Sequence, residues 1–235
     1  SQRLLPLWRV AIAAVVAAIG LPWLIYGDVP WLVALSIGLS AWVLGALLED
    51  IIMKTRHART RWAGLQKLTR SYWGMQLGHL GLVMVVLGVA LTSHYSVEKD
   101  VRLAPGEVLS VGAYDFRFDG VKDHRGPNYT AQRGTLVVSS GLWSEVLHPE
   151  KRIYRVQQNP MTEAAITGTL WRDVYVALGE PLDNGAWAVR VYVKPMVRWM
   201  WFGALVMALG AFMSMLDKRY RHKAAPARAA AGARA

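Results

Sequence analysis

The sequence contains no cysteine. Without a thiol, the chain by itself can form no structural disulfide, thiolate metal site, redox dithiol or thioether, so any redox role requires a bound group. Acidic residues are also scarce, with 16 Asp and Glu against 27 Lys and Arg. The deficit is local. Across residues 93–194 twelve Lys or Arg balance twelve Asp or Glu, which leaves the positive excess in short segments beside apolar runs. A nucleic-acid binder concentrates its positive charge on a folded face, so no nucleic-acid partner is expected, and the distribution is the one a membrane topology produces. The opening residues also lack the small-residue cleavage site of a signal peptide, and Ser1 followed at once by an apolar run reads as part of a longer chain.

What is abundant is apolar: 54% of residues are hydrophobic and the mean hydropathy is +0.23, more than the core of a soluble domain requires. Residues 10–26 and 31–53 are apolar runs separated by the turn Gly27-Asp28-Val29-Pro30, and residues 1–53 are expected to form a transmembrane helical hairpin. Residues 54–73 carry Lys54, Arg56, Arg59, Arg61, Lys67 and Arg70 with no acid, marking a cytoplasmic loop or amphipathic surface helix. Residues 74–92 form a third span, about 28 Å long at about 1.5 Å per residue.

Residues 93–194 change character. Gly and Pro punctuate alternating stretches such as residues 108–111, 114–118 and 187–193, with further strands expected at 134–138 and 174–178, the pattern of an antiparallel sheet with one solvated face. Residues 195–217 supply the last span. Residues 218–235 are a basic tail rich in Ala and Arg, expected to be cytoplasmic and disordered. Both basic clusters fall on one side only with four spans, which puts both ends of the chain in the cytoplasm and the β-rich domain outside, in the periplasm of a bacterial cell. The expected fold class is therefore a membrane α-helical bundle of four transmembrane helices with an inserted β-rich periplasmic domain.

Among six histidines, His57 and His222 lie in basic segments, and His94, His124 and His148 lie in or beside the outer domain, where solvated side chains are expected. His79 is different because it falls inside the third apolar run, where an imidazole needs a partner, a cavity or a metal. Three roles are open to it: a hydrogen bond to a neighbouring helix, a proton relay, or an axial bond to haem iron. Gly78 and Gly81 bracket it, and Gly74 and Gly78 have the small-xxx-small spacing that lets a helix or a flat macrocycle approach. Met75, Leu82, Val86 and Val89 continue its face as an apolar wall. In the outer domain, residues 123–129 read as a long polar hairpin loop, and Trp143, Trp171 and Trp187 as core or sheet-face aromatics. Neither a nucleophile triad, a carboxylate pair nor a phosphate-binding loop stands out, so no catalytic residue is assigned.

Four segments in order resemble the carboxy-terminal part of the cytochrome c maturation protein F family, the membrane subunit of the bacterial haem lyase. They are the helix around His79 (residues 72–81), the loop Gly126-Pro127-Asn128-Tyr129-Thr130-Ala131, residues 148–154 with 161–166, and the Trp199-Met200-Trp201-Phe202-Gly203-Ala204-Leu205 helix with Asp217-Lys218-Arg219-Tyr220. The resemblance implies a protein that takes haem from a periplasmic haem chaperone and passes it to apocytochrome c, held by thiol-presenting subunits. It also implies a b-type haem in the membrane, reduced by quinol, with His79 as one axial ligand and Met75, Gly78 and Leu82 around it. The second ligand is expected outside this chain, in the upstream part of the same protein, so the chain is not expected to be catalytic alone. Two other readings are a transporter or proton-pathway subunit, which requires ionisable residues facing His79, and a scaffold that docks partners with His79 merely packed.

Overall fold

A computed structural model describes residues 5–156 and 158–217, so the tail expected at residues 218–235, with His222, lies outside the described residues. In chain order the helices are α1 (Leu5–Tyr26), α2 (Trp31–Thr55), α3 (Arg61–Gln66) and α4 (Arg70–Tyr95). Ten strands follow, from β1 (Val97–Leu103) to β10 (Trp187–Pro195), before α5 (Val197–Met215). The chain divides into two compact units, one comprising residues up to Ala90 and from Trp199 onward, the other Leu91–Arg198.

In the helical unit α1, α2, α4 and α5 are each long and apolar enough to cross a membrane. The α1–α2 turn is made by Gly27 at φ +79°, whose N–H closes on the Trp23 carbonyl at 3.0 Å, and by Pro30, which cannot extend the preceding helix but can begin a new one. Glycine spacing decides which faces meet. On α2, a Cβ at Gly38 would lie 3.3 Å from the Ala18 Cβ, and one at Gly45 would overlap the Val10 side chain. On α4 and α5 the match is reciprocal: a Cβ at Gly74 or Gly81 would come within 2.5 Å of the carbonyl oxygen of Gly210 or Gly203, and the reverse distances are 2.6 Å. The two helices are thus antiparallel, with bare backbone touching at two levels. Residues seven apart differ by about 20° around a helix, so such pairs form one stripe. The close approach expected at Gly74 and Gly78 is present, with both backbones against Gly210, and Gly81 extends it to a second level at Gly203. Within residues 54–73 lie the end of α2, the short α3 and the start of α4, and the α3 N-terminus is capped by the Thr60 hydroxyl accepting from the Ala63 N–H at 3.2 Å.

The second unit is a sandwich of two antiparallel sheets rather than a single sheet with one solvated face. One sheet has the order β1-β10-β9-β8, with β8 (Ala165–Gly168) and β9 (Arg172–Pro181). The other has the order β2-β3-β4-β6-β7, comprising β2 (Val108–Val111), β3 (Tyr114–Arg125), β4 (Tyr129–Ser140), β6 (Glu150–Tyr154) and β7 (Pro160–Glu163), with β5 (Trp143–Leu147) also paired to β4. Period-two alternation sends Phe116, Phe118, Leu136 and Val138 from one sheet, and Val174, Val176, Leu178, Val189 and Val191 from the other, into a common core. Phe116 and Phe118 are both fully buried, each stabilising the fold by about 3 kcal/mol through area removed from water.

A bulge in β3 between Phe118 and Gly120 shifts the register against β4, and Gly120 takes φ +113°. The shift changes which residues face inward. Phe116 and Phe118 precede it, whereas Asp123 and Arg125, paired with Gln132 and Thr130, follow it on the same side. The sandwich therefore ends in an open cleft of about 740 Å³, lined by Asp123, Arg125, Gln132, Lys151, Ile153 and Glu180 among others. The expected long loop at residues 123–129 is instead a tight hairpin: β3 runs to Arg125, β4 starts at Tyr129, and the Gly126 N–H donates to the Tyr129 carbonyl at 2.9 Å.

Candidate functional site on helix α4

The start of α4 is fixed by oxygen acceptors. The Thr69 hydroxyl accepts from the Tyr72 N–H at 3.2 Å, and the buried Asp217 carboxylate accepts from the Ser71 N–H at 2.9 Å. A carboxylate there satisfies an otherwise unpaired amide and complements the positive end of the helix dipole. Tyr72 is held on both sides, by Gln76 Nε2 donating to its hydroxyl at 2.6 Å and by the Lys54 ammonium over its ring at 4.2 Å. Lys54 in turn pairs with Asp50 at 3.2 Å. This polar knot was not foreseen, because its members are scattered over α2, α4 and the segment after α5.

His79 lies about 12 Å along the helix from Ser71 at about 1.5 Å per residue. Met75 and Leu82 share its face, and all three side chains are exposed. At about 100° per residue this face lies some 140–160° from the Gly74 and Gly81 stripe, so His79 points away from α5. Gly78 sits between the two directions: its N–H lies against Gly210, while a Cβ on it would meet nothing within 4 Å. Gln76 and Val83, on the flank, are buried.

One hydrogen bond sets the chemistry of the imidazole. His79 Nδ1 is 2.9 Å from the Met75 carbonyl oxygen. A carbonyl only accepts, so Nδ1 must carry the hydrogen, and in the neutral ring the lone pair belongs to Nε2, directed outward from the helix. An Nδ1–H held by a backbone carbonyl is the outer-shell partner that orients a metal-bound histidine. The donor set therefore fits a haem iron approached from the open face, with Met75 and Leu82 as apolar flanks and the bare Gly78 leaving room for a flat ring. Among the described residues no group of three His, Asp or Glu side chains is arranged to hold an ion.

In the sandwich, His148 Nδ1 lies 3.3 Å from the Gly134 carbonyl, and His124 stands beside Tyr129 with ring centroids 6.5 Å apart. A charged cluster missed by the sequence reading centres on Glu150, only 3% exposed, which accepts from Arg133 and from Arg152 Nε at 2.6 Å. Burial alone would raise its carboxyl, but the two guanidinium groups hold it below the usual range. Arg152 also reaches Glu163 at 3.3 Å and lies over the Tyr129 ring at 4.6 Å. Of the three tryptophans expected in the core or on a sheet face, Trp187 is buried and Trp143 packs against the core, whereas Trp171 is 63% exposed at a hairpin tip.

Comparison with known proteins agrees with this architecture. Residues 94–195 match a family model described as the CcmF C-terminal beta-sandwich. The cytochrome c-type biogenesis protein CcmF of Pseudomonas aeruginosa is 53% identical over 91% of this chain, which covers 32% of that protein. The Escherichia coli CcmF is 41% identical over 93% of the chain, covering 33% of its length. A solved structure titled cytochrome c heme lyase CcmF superposes with a TM-score of 0.70 at 19% identity, covering 90% of this chain and 34% of the other, which establishes the shared fold. The chain thus spans about a third of the length of the relatives it matches. With the helices, the sandwich and the sequence in agreement, the chain belongs to the CcmF family of cytochrome c-type biogenesis proteins and corresponds to its carboxy-terminal part.

Proposed function

We propose that this chain is the carboxy-terminal portion of a haem lyase subunit in the bacterial inner membrane, where His79 is one axial ligand of a b-type haem. The observation that carries the reading is the Nδ1 bond to the Met75 carbonyl, which turns Nε2 outward from an apolar, exposed helix face. The haem would supply one-electron chemistry that a chain without cysteine or flavin-type motifs lacks. The protein's own part is to orient the ring of His79, to shield it with Met75 and Leu82, and to keep the backbone at Gly78 clear. The second ligand comes from the upstream part of the same protein. Quinol would be the electron source, and a haem held by His79 would supply the electrons that keep the incoming haem reduced on its way from a periplasmic haem chaperone to apocytochrome c and its thiol-presenting subunits. The charge-balanced sandwich faces that compartment, with residues 54–73 and both ends of the chain on the cytoplasmic side.

The test is the reduced-minus-oxidised optical spectrum of the full-length protein purified in detergent, with His79 intact and with His79→Ala. Loss of a six-coordinate b-type spectrum in the variant, together with loss of c-type cytochrome yield, is the expected result. An unchanged spectrum and yield would reduce His79 to a packing residue.

A further inference from the structure

Within the sandwich, the outer edge of β3 is only partly covered. β2 pairs with residues 114–117, and the turn leading into β2 extends the cover by one residue: the Phe118 N–H donates to the Glu107 carbonyl at 2.9 Å, and the Gly106 N–H donates to the Phe118 carbonyl at 2.7 Å. Past the bulge, β3 runs on to Arg125 with a strand on one side alone, β4. The parity of the ladder identifies the groups left over. The Gly126 N–H donates to the Tyr129 carbonyl, so that pair is bonded across the hairpin. Bonded and non-bonded pairs alternate in an antiparallel ladder, which makes His124–Ala131 and Lys122–Arg133 bonded, and Arg125–Thr130, Asp123–Gln132 and Val121–Gly134 non-bonded. β4 agrees with this count, because Gly134 turns its N–H away from β3 to the Pro149 carbonyl at 2.8 Å. Val121, Asp123 and Arg125 therefore direct their backbone N–H and C=O groups outward, and none of these meets a hydrogen-bond partner among the described residues.

Sheet edges are commonly blunted by shortness, proline or charge. The β7 and β8 edges are four residues each, β7 begins at Pro160, and both acids of β1, Glu98 and Asp100, are paired with Arg190. The β3 edge differs from these. Lys122 and Arg125 are exposed, and neither has an acidic partner among the described residues. The edge also borders the cleft, where Gln132 and Ile153 lie beside Asp123 and Arg125 on the inner face of the same sheet. Lys151, the other cation of the cleft, is already matched by Glu180, which leaves the Arg125 guanidinium as the charge without a counterpart there.

We propose that the edge of β3 at residues 121–125 takes up an extended segment of another protein, one that carries a carboxylate side chain beside Arg125 and adds a strand to the sheet in line with β2. The free edge is about 17 Å long at about 3.3 Å per residue, the length of an ordinary strand. Main-chain bonds to Val121, Asp123 and Arg125 would hold the segment, and every second side chain of it would enter the cleft, where Arg125 selects an acid. Charge also argues against a second copy of this chain as the occupant. An antiparallel copy centred on the free residues would set Asp123 opposite Asp123, and like charges directly opposite destabilise a strand pair.

The test is hydrogen exchange in the full-length protein in lipid nanodiscs, read at single amides, with and without a synthetic peptide that alternates threonine and valine around one central glutamate. With the peptide at millimolar concentration, the amides of Val121, Asp123 and Arg125 are expected to exchange several-fold more slowly. Those of Lys122 and His124, already bonded to β4, should not change. The same peptide N-methylated throughout should have no effect, because it has no N–H to offer. A lysine in place of the central glutamate, or Arg125→Gln in the protein, should each weaken the slowing several-fold. Unchanged exchange at the three amides overturns the proposal. Slow exchange before any peptide is added also overturns it: if it persists on dilution, another part of the same protein occupies the edge, and if it fades, a second copy does. Equal slowing by the lysine peptide overturns the acidic class of the partner. The first comparison needs no variant, so a folding defect in Arg125→Gln leaves the test standing.

Discussion

The two units bury opposite things. In the sandwich, apolar side chains point inward and most charge points outward, so Phe116, Phe118 and Leu178 are hidden while Asp100 and Arg190 pair on the surface and the buried Glu150 is held by two arginines. In the helical unit the apolar side chains are outside: Leu24 is 73% exposed, Trp31 73% and Leu205 66%, while the residues buried between α4 and α5 are the glycines Gly203 and Gly210. Water drives the first arrangement. The second needs a solvent as apolar as leucine, in which side chains gain nothing by hiding and helices associate through close backbone contact.

That contrast can be broken at three points. The largest effect is expected in the sandwich, where Phe118→Ala should cost about 3–5 kcal/mol and expose the unit to proteolysis in the full-length protein, because a fully buried ring leaves a cavity. An equally large loss from Leu205→Ala, measured the same way, would contradict the difference between the units. Next, Gly81→Leu should cost about 1–3 kcal/mol by forcing α4 off α5 and lowering the thermal stability in detergent, while leaving protease resistance of the sandwich intact. Smallest, Glu150→Gln should cost about 1–2 kcal/mol, since two guanidinium groups lose their charged partner. The sign of its pH dependence is fixed. The carboxyl is held below its ordinary range in the fold, so its stabilisation is complete above the unfolded-state value and is lost as pH falls through the depressed one. Hydrogen exchange of β6 measured on acidification should therefore accelerate in the wild type and respond less in Glu150→Gln.

Much of this was legible in the sequence, and unevenly so. Long apolar runs gave the four helices, because a span is a local property of composition, and the alternating stretches at residues 114–118 and 187–193 fall in strands. The partition into two sheets was not legible. Pairings such as Val97 with Val193 join distant residues, and β5 to β8 are strands of only four or five residues, too short to show an alternation. The β3 bulge also reverses which parity faces inward, a change that no window of alternation reveals. On α4, His79 stood out because it is polar in an apolar run. Its bond to the Met75 carbonyl follows from helical geometry, since residues four apart meet on one face. The exposure of Trp171 was missed because aromatic composition says nothing about which end of a strand carries the side chain.

The tie between Thr92 and Pro195, together with the pairing of β1 with β10, has a consequence for how the chain is assembled. Joining α4 to α5 through a flexible tether as long as the sandwich would carry a closure entropy of about 4 kcal/mol. Once folded, the sandwich removes that cost, since its first and last strands are already neighbours and deliver the two helices side by side at high effective concentration. The glycine stripes of α4 and α5 can therefore be short, because the sandwich inserted between the two helices leaves them little chain entropy to overcome.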